Sequence, residues 1–171
     1  MKPFAIATLA LLPLVSTPAT AVAPPNALPA TSGAELDESD RARITAEVTD
    51  FLAHYLTVLE AGDSEAIREL YVADERFAWY TDGEKRYATV DELLASLAGM
   101  EGMTFSTESS EVEVLPLTAE LSHASSAFQT KITQGERVVF EYGGVITWLL
   151  ERSGGDRWRV LRGHTSTPGA R

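Results

Sequence analysis

At Met103 the hydrophobic pattern of this chain changes period, and that change limits the fold more than any other feature. Upstream, apolar residues recur at helical spacing. Ile44, Val48, Phe51, Leu52, Tyr55, Val58 and Leu59 share one face of residues 41–61, with Glu47 and Asp50 opposite or at the edge. Ser39 or Asp40 stands where a helix cap is wanted, and Gly62 where the helix should stop. A second, shorter helix is expected over 63–71. Residues 77–81 and 85–88 flank Asp82-Gly83, a pair suited to a tight hairpin turn. Thr89 and Glu92 form a capping box that opens a third helix, closed by Gly99. Downstream the period becomes two, over residues 103–115, 121–134, 138–152 and 157–166, with turn-forming stretches between them. Helices first and a long sheet last predict an α+β fold, the helices covering one sheet face.

Alternation assigns faces within the strands. Val138, Phe140, Tyr142, Ile146, Trp148 and Leu150 form a core side. The opposite set, Val139, Glu141, Gly143, Val145, Thr147 and Leu149, is too apolar for open water and is expected to meet a second copy of the chain or another sheet edge. In the first long strand the inward parity moves from Met103 and Phe105 to Val112 and Val114, which calls for a β-bulge near Ser109-Ser110. A bulge there would bend the sheet around the helices and leave a hollow. In the last strand Trp158 and Val160 point inward, and the same parity carries Arg162, His164 and Ser166.

The N-terminal end reads as an address. Met1-Lys2 is followed by an apolar run over residues 4–15 and by Ala19-Thr20-Ala21, small residues of the kind a signal peptidase reads. The run contains Pro13 and is shorter than the roughly 20 apolar residues of a spanning helix. Residues 1–21 are therefore expected to be removed on export, and residues 22–39, rich in Pro, Ala and Ser, to form a flexible leader. The domain proper is expected over 40–167, in a soluble periplasmic or secreted protein with no membrane attachment after cleavage.

Charge and composition remove several function classes. In the 171 residues, 14 Lys and Arg face 25 Asp and Glu, a net charge of −11 that repels phosphate backbones and anionic lipids. Arg152, Arg157, Arg159 and Arg162 gather locally and read as hairpin-face charge. Cysteine is absent, which excludes disulfides and thiolate chemistry. The sole asparagine, Asn26, lies in the leader. His54, His123 and His164 are dispersed, without metal-ligand spacing, so no metal and no cofactor is expected. Gly-x-Ser-x-Gly, P-loop and dinucleotide-binding glycine patterns do not occur.

The closing run Trp158-Arg159-Val160-Leu161-Arg162-Gly163-His164-Thr165-Ser166 resembles the W-x-[IV]-x-x-x-H-x-S ending of SnoaL-like domains in the NTF2-like superfamily. Leu59-Glu60-Ala61-Gly62-Asp63 resembles that family's helix exit, and Trp79 with Asp82-Gly83 its early hairpin. The likeness covers about residues 40–167. It implies an α+β cone of helices packed on a strongly bent, mixed or antiparallel sheet. The superfamily holds ketosteroid isomerases, scytalone dehydratase, limonene-epoxide hydrolase, polyketide cyclases, transport factors and kinase association domains, so the fold does not choose an activity. Its isomerases use a pocket aspartate and its epoxide hydrolases an Asp-Arg-Asp set. Here the aspartates fall in the leader, on helix starts or faces, or in turns such as Asp82 and Asp156.

Polar groups on core-facing parities are the candidate site, because buried polar atoms need a partner, a ligand or water. They are Tyr55 on the first helix, Tyr142 in its strand, and Arg162 and His164 in the last, with Trp79 as a wall. His164 has three readings: a structural hydrogen bond, a ligand contact, or acid–base catalysis, which an imidazole of ordinary pKa about 6.5 permits. His54 and His123 read as surface residues. Glu141 falls on the parity opposite the core, and Glu108, Glu111 and Glu113 read as solvated. The expected function is an exported dimer binding a small, largely apolar molecule. The alternatives are a cofactor-free isomerase, dehydratase or cyclase using a pocket histidine, and a dimeric interaction module without ligand.

Overall fold

The computed structural model describes residues 35–100, 102–152 and 157–168. The expected signal peptide, most of the leader and the turn at 153–156 lie outside the described residues.

The first helix, α1 (Glu38–Ala61), starts earlier than the sequence suggested. Asp37, not Ser39 or Asp40, is the cap, and its carboxylate accepts from Asp40 N at 2.8 Å. An aspartate here satisfies an orphan N–H and favours the positive helix end. Ile44, Val48, Leu52, Tyr55 and Val58 are buried along one stripe. Gly62 stops the helix at φ 71°, left-handed backbone that glycine adopts at no steric cost. Asp63 caps α2 (Ser64–Glu69), and β1 (Ala78–Thr81) turns through Asp82-Gly83 into β2 (Glu84–Tyr87). Both turn residues have positive φ, 51° and 88°, as a type I′ turn demands. In α3 (Val90–Ala98) Thr89 caps the helix, accepting from Glu92 N, while the Glu92 carboxylate reaches one residue beyond the cap and accepts from Ala88 N.

The strands that follow are β3 (Thr104–Ser109), β4 (Glu113–Pro116), β5 (Leu121–Gln134), β6 (Arg137–Glu151) and β7 (Arg159–Ser166). They join β1 and β2 in one seven-stranded sheet of order β2-β1-β7-β6-β5-β3, with β4 also on β5. β1 and β7 run parallel and the other pairs antiparallel, so the sheet is mixed. The fold is α+β, as the change of period predicts.

Residues 103–115 form two strands, not one. Ser109 pairs with Phe128 and Glu113 with Ser125, so three residues between them span two on β5. Ser110 fills the break, donating its N–H to Ala127 O and sharing a 3.3 Å hydroxyl contact with Ser126. The inward parity changes there as expected: Phe105 pairs with buried Ile132 upstream, while Val112 and Val114 pack on the core downstream.

A second switch falls in β7, where the sequence alternation predicts none. Leu150 pairs with Val160 but Leu149 pairs with Arg162, leaving Leu161 as an extra residue. This bulge reverses the parity of everything after it. Trp158 and Val160 are buried as predicted; beyond the bulge Gly163, not Arg162, faces inward. On β6, Trp148 and Leu150 are buried and Ile146 half-buried, while Val138 and Phe140 lie past the core at the exposed hairpin end. Among the described residues no helix is long and apolar enough to cross a membrane.

Candidate functional site

Between the helices and the inner sheet face lies a cavity of about 1310 Å³. It exceeds the about 300–1,000 Å³ usual for small-molecule sites. Its floor is aromatic. Tyr55 from α1 meets Tyr71 edge-on at 6.0 Å between ring centroids and Trp148 from β6 at 6.1 Å. Tyr71 in turn meets Trp79 from β1 at 6.4 Å. Such edge-to-face contacts are the favoured geometry for quadrupolar rings and hold the wall rigid.

Three polar groups sit in that floor. The Tyr55 and Tyr71 hydroxyls share one hydrogen bond of 2.9 Å. Burial pushes Tyr55 up to about 12, partly opposed by the Tyr71 hydroxyl and the Trp148 indole. Burial pushes Tyr71 well above its ordinary value, and Tyr55 adds to the rise. At neutral pH both phenols are protonated, as an ordinary tyrosine is, so each carries a proton to donate. The Trp148 indole N–H favours the Tyr55 phenolate, yet it makes no hydrogen bond of good geometry. A pair of hydroxyls uses one proton between them, so the floor keeps unspent donor capacity.

The remaining polarity is graded toward the rim. Tyr142 lines the cavity from β6 opposite Thr130; burial raises its pKa and Thr130 opposes the rise. Thr107 and Thr130 share a 2.9 Å hydroxyl bond, and Tyr87 donates to Ser96 at 2.8 Å. The charged lining groups, Glu60, Asp82, Arg86 and Glu141, are all exposed. Asp82 is held below the ordinary carboxylate range by the Thr167 N–H and hydroxyl, against a small effect of burial and with help from the His164 charge. Arg86 reaches the rim because β2 carries a bulge there: Trp79 pairs with Tyr87 and Tyr80 with Lys85, leaving Arg86 over.

The structure brings Tyr55, Trp79 and Tyr142 together and separates the other two candidates from them. Arg162 and His164 do not line the cavity. Arg162 is exposed and donates from Nε to Arg76 O at 3.2 Å. His164 pairs with Tyr80 and Thr147 on the same outer parity. The expectation that both point into the hollow is thus corrected, and the cause is the Leu161 bulge. No histidine lines the cavity. Among the described residues no group of three acidic or histidine side chains is placed to hold a metal.

Sequence reasoning missed Tyr71, Asp82 and Arg86. A signal for Tyr71 existed, because a buried tyrosine on α1 requires a hydroxyl partner. It also missed Glu47, read as opposite or at the edge of the α1 stripe. Its carboxylate accepts from Arg152 at 2.8 Å and from Trp158 Nε1 at 3.2 Å, tying α1 to the chain on either side of the β6–β7 turn. Burial works to raise its pKa, but hydrogen bonds from Arg43 and Trp158 and the Arg152 charge together lower it.

Helices packed over a seven-stranded mixed sheet are the fold this chain shares with solved NTF2-like structures. The chain belongs to the SnoaL-like domain family, whose pattern matches residues 40–164. Among solved structures it is similar to an NTF-2 like protein of unknown function from Shewanella oneidensis MR-1, at 21% identity and a TM-score of 0.57, covering 72% of this chain and 98% of that one. A ketosteroid isomerase-like protein from Erwinia carotovora atroseptica SCRI1043 shows 21% identity and a TM-score of 0.58 over 73% and 96% of the two chains. A Catenulispora acidiphila protein solved in complex with S-DNPA shows 12% identity and a TM-score of 0.61 over 74% and 95%. At these identities the likeness is one of fold. No curated protein matches the chain.

Proposed function

We propose that this domain binds a small, largely apolar molecule in the cavity, with its polar end on the Tyr55–Tyr71 floor. The carrying observation is the floor itself: two buried phenols that share one hydrogen bond and an indole N–H without a good acceptor, set among aromatic walls. A ligand that offers an acceptor there uses donors otherwise unspent, and its apolar body replaces water against aromatic surface. The small-molecule complex of the Catenulispora acidiphila protein supports the reading by analogy of fold. Acid–base chemistry through His164 has lost its geometric basis.

Nile red, a neutral fluorophore that brightens in apolar surroundings, tests this. The wild-type protein should bind it saturably at one site, and Ile146→Trp, which fills the cavity from its β6 wall, should weaken binding at least about tenfold. Binding that never saturates, or that ignores the filled cavity, overturns the reading.

The outer sheet face favours a second copy of the chain as partner, since Val145 and Leu115 stand 47% and 55% exposed beside half-buried Leu149. Light scattering should return twice the monomer mass at micromolar concentration; the monomer mass contradicts the dimer.

A further inference from the structure

The cavity has one wall that is fastened at its end by a single side chain. Thr165, Thr167 and Pro168 line the cavity where β7 runs out. Up to Thr165 the strand is held on both sides, by β1 and by β6. The β1 pairing ends with Thr81 opposite Thr165, and the β6 pairing ends with Val145 opposite Ser166. Past that point Asp82 takes over. Its carboxylate accepts from Thr167 N at 2.7 Å and from Thr167 Oγ1 at 2.8 Å, and its own N–H donates to Thr165 O at 2.9 Å. Among the described residues, these two bonds to Asp82 are the side-chain hydrogen bonds that reach residues 165–168.

Two backbone features exist to make that fastening fit. Asp82 sits at φ 51°, a left-handed conformation that Asp and Asn tolerate, and this aims the turn back at β7. Gly144 lies beneath the strand end, where an added Cβ would collide with the Ser166 carbonyl and crowd Thr167 Cα. The strand end therefore seats at a distance that only glycine allows.

We propose that Thr167 and Pro168, past the end of the strand pairing, are a clasped, openable edge of the cavity mouth, held by Asp82 and seated on Gly144, and that their release widens the mouth through which a ligand enters and leaves. Charge-assisted hydrogen bonds are strong enough to keep such an edge closed most of the time, and two of them are few enough to let it open. The proposal rests on the binding reading only for its ligand; the opening itself is a property of the empty protein.

Three measurements on the full chain decide it, with Asp82→Asn, Thr167→Val and Gly144→Ala as variants. Asparagine keeps the turn conformation, and valine leaves Asp82 and its turn untouched. In wild-type protein the Thr167 and Asp82 amides should be protected from hydrogen exchange. In each variant they should exchange about tenfold faster while Leu150 does not change. Acrylamide quenching of tryptophan fluorescence should rise, because Trp79 and Trp148 line the same cavity. Nile red should enter and leave about tenfold faster, with its equilibrium affinity changed less. A Thr167 amide unprotected in the wild type overturns the clasp. Faster exchange with unchanged quenching and unchanged Nile red rates overturns the edge as a door. Failure of the wild type to bind Nile red counts against the binding reading alone, and exchange with quenching then decides the edge.

Discussion

Gly163 is the residue on which the inner face of β7 depends. Any Cβ there would run into the Trp79 ring, so the absence of a side chain is what lets Trp79 stand against the sheet and form a cavity wall. Gly163→Ala should cost about 1–3 kcal/mol by forced repacking, read as a lower urea midpoint, and should shift tryptophan fluorescence as Trp79 is displaced. Tyr55 makes a different demand. The folded chain keeps its phenolic proton up to about 12, while the unfolded chain releases it near the ordinary value of 10. Deprotonation thus favours the unfolded state first: the stability is intact below pH about 10 and is lost as pH rises to about 12, by roughly 3 kcal/mol. Tyr55→Phe should flatten that alkaline decline. At neutral pH it should cost about 1–2 kcal/mol by leaving the buried Tyr71 hydroxyl unpaired, as denaturant titrations would show.

Among the elements, α1 is held at its middle by a polar anchor as well as by its apolar stripe. Glu47 receives Arg152 and Trp158, and Arg152 also stacks over the Trp158 ring at 4.9 Å. Arg152 and Trp158 donate to the same carboxylate oxygen and Arg43 to the other, so Glu47→Gln removes the charge and can keep the first two bonds only by losing the third; it should destabilise by about 1 kcal/mol. Thermal melts of Glu47→Gln and Glu47→Ala separate the two contributions, and equal losses would contradict the anchor. The strands show what alternation can and cannot reveal. The change of inward side between β3 and β4, though not the division into two strands, was legible because large apolar residues, Phe105 and then Val112 and Val114, mark that side before and after it. The bulge at Leu161 was not, because the inward positions after it are Gly163 and Thr165, neither of which carries an apolar mark. What fills that side is Trp79, donated by β1. The parallel β1–β7 pairing that delivers it is a long-range contact no local pattern encodes. The helix stripe, both caps of α3, the hairpin turn and the core side of β6 near Trp148 were legible for the opposite reason: each is decided within one turn or one strand.

At the scale of the whole molecule, the acidic surface and the aromatic interior divide the chemistry. The net charge of −11 keeps the outside solvated, while the charged cavity groups stay at the exposed rim. The N-terminal pattern assigns the chain, as a proposal, to export. Sequencing the protein recovered from its own cells should find Val22 first, and a retained Met1 would contradict cleavage. The central claim is that the working face is the inner one, not the outer face that carries Arg162 and His164. Amide chemical-shift mapping during a titration with naphthol, an aromatic body with one polar end, tests it most directly. Shifts should gather at Tyr55, Tyr71, Trp79, Tyr142 and Thr165 and leave Arg162, His164 and His123 unmoved; shifts centred on those three instead would contradict it.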